Sequence, residues 1–160
     1  MSGEPALLLA EIDKIQRVLA SVRQRLDSAR RQELVQLGRN QLTAVFIAQL
    51  LETFYTAVET LFLRISQHFE NRLADERWHA DLLDKMTLRV SGVREQVIRE
   101  QTAALLNELM RFRHFKRYYL ELDFDWAKLE YLLDVYERVL PLLDRDLQEF
   151  KSFLVRLAAP

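Results

Sequence analysis

Apolar residues recur at threes and fours along most of this chain. Leu8, Ile12, Ile15, Leu19, Val22 and Leu26 place one stripe on a first helix, because about 3.6 residues make a turn. Pro5 suits its first turn. Gly38-Arg39-Asn40 breaks the pattern, and a second helix is predicted from about Gln41 to about Leu73. Its apolar positions Ala44, Ile47, Leu51, Phe54, Val58, Leu61 and Ile65 keep the spacing, while Phe46, Tyr55 and Phe62 widen the face. A helix apolar over that width belongs at the centre of its bundle. Asp75 is a candidate N-cap for a short third helix, Glu76–Met86. A loop centred on Ser91-Gly92 leads to a fourth helix, from about Glu95 to about Glu121. Asp123 or Asp125 caps a fifth, from Trp126 to about Leu157, in which Pro141 is predicted to cause a kink or a split. The pattern predicts an all-α, up-and-down bundle of about five helices, forming a single domain over residues 1–160.

Composition narrows the chemistry. Three Gly and three Pro are too few for many tight turns or a phosphate-cradling glycine loop. The absence of Cys excludes disulfides, thiolate metal sites and Cys nucleophiles. The N-terminus has no basic region ahead of its apolar residues, and the longest apolar run, Ala44–Leu51, is interrupted by Gln49. A cytoplasmic protein without signal peptide or membrane span is therefore expected. The net charge of −1 announces no nucleic-acid partner, but its distribution is uneven. Between Arg89 and Arg117 there are seven Arg or Lys against three Glu, an excess of four positive charges. That asymmetry suits a basic cleft on an otherwise neutral surface.

The chemistry concentrates in Met110–Tyr119, MRFRHFKRYY, which holds Arg111, Arg113, His114, Lys116, Arg117, Tyr118 and Tyr119. A helix advances about 100° per residue, so Arg113 and Arg117 lie about 40° apart, as do His114 and Tyr118. Together they form a polar face one turn deep. Such a face suits a phosphodiester: Arg stabilises the growing negative charge, and a neighbouring proton carrier serves the attacking or leaving oxygen. One helix offers one copy of each group, and two helices crossing at a dimer axis would offer two around one groove. The plainer reading is a solvated face with salt bridges to Glu108 and Glu121.

Phe112-Arg113-His114, then Arg117-Tyr118, then Asp123-Phe124-Asp125-Trp126 resemble a segment of the HEPN-domain proteins, specifically the HepT-like toxins of prokaryotic toxin–antitoxin pairs. In one branch that segment reads approximately FRH-x-x-RH-x-Y, followed by an acidic-Leu-Asp-Trp stretch. Upstream, Trp78-His79 with Leu82-Leu83 and Met86 resembles its WH-x-x-LL-x-x-M segment. Phe54-Tyr55-Thr56 with Glu59 and Phe62 resembles its FYT-x-x-E-x-x-F helix. The resemblance covers about residues 42–150.

It implies a homodimeric helical bundle acting as a metal-independent endoribonuclease, with no cofactor and with Arg and His of both subunits lining the dimer cleft. It also implies a nucleotidyltransferase antitoxin as partner, silencing the toxin by adenylylating a Tyr. Carried onto this chain, Arg113, His114 and Tyr118 are the catalytic candidates. Arg111, Lys116 and Arg117 are RNA-binding candidates, and Tyr118 or Tyr119 the nucleotide acceptor. Two positions depart from the pattern: Tyr118 stands where the family has its catalytic His, and Leu120 where it has its Tyr. A phenol, with a reference pKa of about 10 against about 6.5 for imidazole, is a poor base at neutral pH. His114, one turn earlier, is the alternative proton carrier. A catalytically weakened relative is one expectation, and a non-enzymatic RNA-binding or protein-interaction dimer the alternative. Glu76 and His79 have the E-x-x-H spacing of a di-iron ligand pair, but no second pair exists, so no metal site is expected and His79 reads as structural. His68 reads as structural or exposed, and Trp78 and Trp126 as packing residues.

Overall fold

The computed structural model describes residues 3–70, 78–118 and 122–160, and only the backbone of 78–80. The described chain is an all-α bundle. Its helices are α1 (Gly3–Ser28), α2 (Leu34–Leu37), α3 (Gln41–Phe69), α4 (Trp78–Met86), α5 (Glu100–Tyr118) and α6 (Trp126–Ala158). α1 and α2 form one arm, joined by a π-helical segment, Ala29–Glu33. No feature of the hydrophobic pattern announces that segment.

Gly38, at φ 77°, ends this arm, a left-handed conformation that glycine adopts without a Cβ clash. Asn40 then starts α3 with a reciprocal cap: its side chain accepts from the Thr43 amide at 3.1 Å, and its own amide donates to the Thr43 hydroxyl at 3.1 Å. Asp125 starts α6 with a one-way cap, its side chain accepting from the Ala127 amide at 3.0 Å.

Cross-helix contacts give the topology. Lys151 to Asp13, Arg23 to Asp144, Arg30 to Glu137 and Arg39 to Glu130 run as a ladder, so the α1–α2 arm lies antiparallel to α6. Phe54 meets Tyr136 edge-on, with ring centroids 5.0 Å apart, and Phe69 meets Phe150 further along, so α3 and α6 run parallel at the centre. α5 lies antiparallel to both. By length and composition alone α3 could cross a membrane, but more than half of its apolar window is buried in the bundle, the position of a core helix. α6 is not split at Pro141. That residue is exposed, so the carbonyl four residues back, which proline leaves without its helical donor, faces water.

α5 begins five residues later than its composition predicts, because tertiary contacts hold the preceding loop. The buried Arg94 guanidinium donates to the carbonyls of Lys85 and Leu88 at 2.9 and 2.7 Å and to the Glu70 carboxylate at 2.6 Å. The Val97 and Ile98 amides both donate to the Met86 carbonyl. Asp146 of α6 then caps α5 from outside, accepting from the Arg99 amide at 3.0 Å, the Thr102 hydroxyl and the Arg99 guanidinium.

Burial alone would push the Asp146 carboxyl up. The Thr102 hydroxyl and the Arg99 amide and guanidinium outweigh it and hold the group below its ordinary value of 3.8. A group depressed in the folded state contributes stability above its unfolded pKa and loses it as pH falls. Asp146→Asn is therefore expected to cost about 1–3 kcal/mol at neutral pH and to flatten the loss of stability between roughly pH 5 and 3. Urea titrations at both ends of that range measure it, and an unchanged acid slope would remove Asp146 from the explanation.

Candidate functional site

Residues 113–118 occupy the last turns of α5, beside the middle of α3. Arg113 is 5% exposed. Its Nη2 donates to Glu59 Oε2 at 2.7 Å and its Nη1 to the Thr56 hydroxyl at 3.2 Å, while Cζ lies 4.7 Å from the centre of the Tyr55 ring. A groove-facing guanidinium is the expectation from the sequence, but the structure turns it into its own bundle, toward α3. The cause is Glu59, which sits in the apolar stripe of the central helix and is itself buried. An isolated carboxylate there is costly, so α5 meets it with a cation. The Tyr55 phenol is pushed well above its ordinary range, chiefly by burial and then by the Glu59 charge. It is no proton carrier near neutral pH.

Two turns back along α3, Glu52 repeats the arrangement. Lys116 Nζ donates to Oε2 at 2.6 Å and Arg117 Nε to Oε1 at 2.6 Å. Burial raises the Glu52 carboxyl, but these two cations outweigh it and hold it below 4.5. Of the plainer sequence reading, salt bridges to Glu108 and Glu121, the Glu108 part is not formed among the described residues. The cations of α5 reach across to α3, and Glu121 lies outside the described residues. Glu52 is the residue that sequence reasoning missed. Its signal was the seven-residue spacing from Glu59, which puts two carboxylates on one face of a helix otherwise apolar.

His114 and Tyr118 face outward together. Their rings stack with centroids 5.6 Å apart and an interplanar angle of 16°, and Tyr118 is 70% exposed. Arg117 keeps its side chain more than half exposed while holding Glu52 through Nε, which leaves its terminal nitrogens toward solvent. Arg111 is exposed on another face of α5. The structure therefore separates the six described candidates. Arg113 is internal, Lys116 is partly buried at the α3 edge, and His114, Arg117 and Tyr118 form one outer surface. Tyr119, Glu76 and the side chains of Trp78 and His79 lie outside the described residues.

Trp126 is partly buried and donates from Nε1 to the Asn40 carbonyl at 2.9 Å, tying the start of α6 to the cap of α3. His68 packs edge-on against Phe69. Among the described residues no three His, Asp or Glu side chains gather as metal ligands would.

The outer surface can do two things. It offers a cation and two stackable rings to an anionic, aromatic polymer, and it presents a solvent-facing phenol. A family model described as HepT-like protein matches residues 46–154, which take in α4, α5 and most of α3 and α6. No curated protein and no solved structure matches the chain.

Proposed function

The chain belongs to the HepT-like protein family, and from that premise we propose a toxin-type HEPN protein that binds RNA on the outer face of α5 and cuts it weakly or not at all. The carrying observation is the stacked pair of His114 and Tyr118 on that face, with a phenol at the family's His position. Arg113 supports the same reading. Its charge is already opposed by Glu59 at 2.7 Å, so it works as a positioning residue that seats α5 on α3. Arg117 supplies the outward charge, and His114 with Tyr118 the stacking surface. The protein acts as a homodimer without a cofactor. A nucleotidyltransferase antitoxin is its partner, adding a nucleoside monophosphate from a nucleoside triphosphate to the exposed Tyr118 phenol oxygen, with pyrophosphate leaving.

Retention of single-stranded RNA over a salt series tests this. Affinity is expected to fall with salt, with a log–log slope of about −0.7 for each phosphate contacted. Arg117→Gln should weaken retention and reduce the slope by about one contact. Lys116 still holds Glu52 in that variant, so the fold is kept. RNA retention that is absent, or indifferent to salt, would leave a protein-interaction dimer in its place.

A further inference from the structure

A second feature of α5 lies away from the Glu52 and Glu59 contacts. The helix and the start of α6 enclose a cleft of about 700 Å³, within the usual size of small-molecule sites. Its wall is aromatic. Phe112 and Phe124 are buried with ring centroids 6.0 Å apart, and Phe115 is 47% exposed. The Phe124 part of the wall is anchored through its backbone, since the Gln41 side chain accepts from the Phe124 amide at 2.8 Å and donates to its carbonyl at 2.9 Å.

The charged groups around this wall differ in how far they are engaged. Asp125 caps α6 through one oxygen, and Asp123 has an interaction of its own. Glu108, Arg111 and Lys128 also line the cleft, and among the described residues none of the three has an ion-pair partner. Lys128 Nζ only approaches the Tyr131 ring, at 5.1 Å. Elsewhere on α5 the cations find carboxylates on α3. Here two cations and three carboxylates line an aromatic wall, and among the described residues neither cation forms an ion pair with any of the three.

We infer that this cleft binds a nucleoside phosphate, its base against Phe115, its phosphate at Arg111 and Lys128, and an exocyclic amine at Glu108. Each element answers one part of the ligand: the ring needs a flat apolar face, the phosphate needs cations, and an amino-bearing base needs a carboxylate acceptor. The site goes beyond the outer-face reading, because it uses another side of α5 and stands whether the nucleotide is free or part of an RNA chain.

Calorimetric titration of the full chain with AMP, CMP, GMP and UMP tests it, alongside a six-nucleotide RNA. Saturable binding is expected, with UMP weakest because it lacks an exocyclic amine, and Glu108→Gln should narrow that preference. Phe115→Ala should weaken AMP about tenfold. Lys128→Gln, at an exposed position, repeats the test should Phe115→Ala disturb folding. A hexanucleotide that binds more tightly than AMP, with the same dependence on Phe115, assigns the site to RNA. A hexanucleotide no tighter than AMP assigns it to free nucleotide. No saturation with any probe up to about 5 mM, or affinity indifferent to both Phe115→Ala and Lys128→Gln, overturns the site. The Arg117→Gln salt series reads the outer face instead, so the two readings fail separately.

Discussion

Arg113→Ala is expected to destabilise the protein by about 3–5 kcal/mol, the cost of leaving a buried carboxylate without its partner. Glu59 is 7% exposed and receives the Arg113 guanidinium at 2.7 Å, on the central helix of the bundle. Alanine removes the cation, the hydrogen bond to Thr56 and the contact with the Tyr55 ring at one stroke. For a chain of this size the melting temperature should fall on the order of 10 °C. Arg113→Met combined with Glu59→Leu should recover most of that loss, because replacing both charges by apolar groups removes the desolvation cost as well as the attraction. Urea unfolding of the two single variants and the double variant gives the coupling directly. A loss under about 1 kcal/mol for Arg113→Ala would mean that the pair does little to hold α5 on α3. The result also governs how function is assayed. An Arg113→Ala protein that no longer handles RNA could simply be misfolded, so the variant is informative only beside the double replacement.

The helical architecture was legible because it rests on local signals. The stripe from Leu8 to Leu26, the break at Gly38 and the wide apolar face of α3 are all read from spacing and side-chain type. The direction in which Arg113 points was not legible from α5 alone. Helical periodicity relates Arg113 to Arg117 by an angle but does not say which side of that pair meets the bundle. The answer was written on α3, where Glu52 and Glu59 interrupt the apolar face and require cations opposite them. The late start of α5 escaped for a similar reason. Glu95 to Arg99 reads as the first turns of a helix, and only the distant Asp146 and the Met86 carbonyl show why it is not one. The cleft beside Phe115 needs residues from two helices and the loop between them, which no local pattern brings together.

Tyr118→His carries the largest expected gain. The outer face already holds a ring at position 114 stacked one turn from position 118, and Arg117 reaches solvent beside them while Nε stays on Glu52. In that setting the departure from the family's pattern is the absence of an imidazole at position 118 itself, with His114 one turn away. A phenol is in general a poor base at neutral pH, whereas an imidazole is divided between both forms there. A positioned general acid–base contributes about 10²–10⁴-fold, so metal-free cleavage of single-stranded RNA should rise by that order in Tyr118→His, with a rate that bends near the imidazole pKa. Tyr118 is 70% exposed, and the replacement should therefore leave stability nearly unchanged. His114→Ala in the same background separates the two imidazoles: a further fall in rate would give His114 a share in proton transfer, and an unchanged rate would confine it to binding. If Tyr118→His folds, retains RNA and still cuts no faster than the parent, the lost imidazole is not what limits this chain. The limiting group would then be the guanidinium that Glu59 holds inside the bundle.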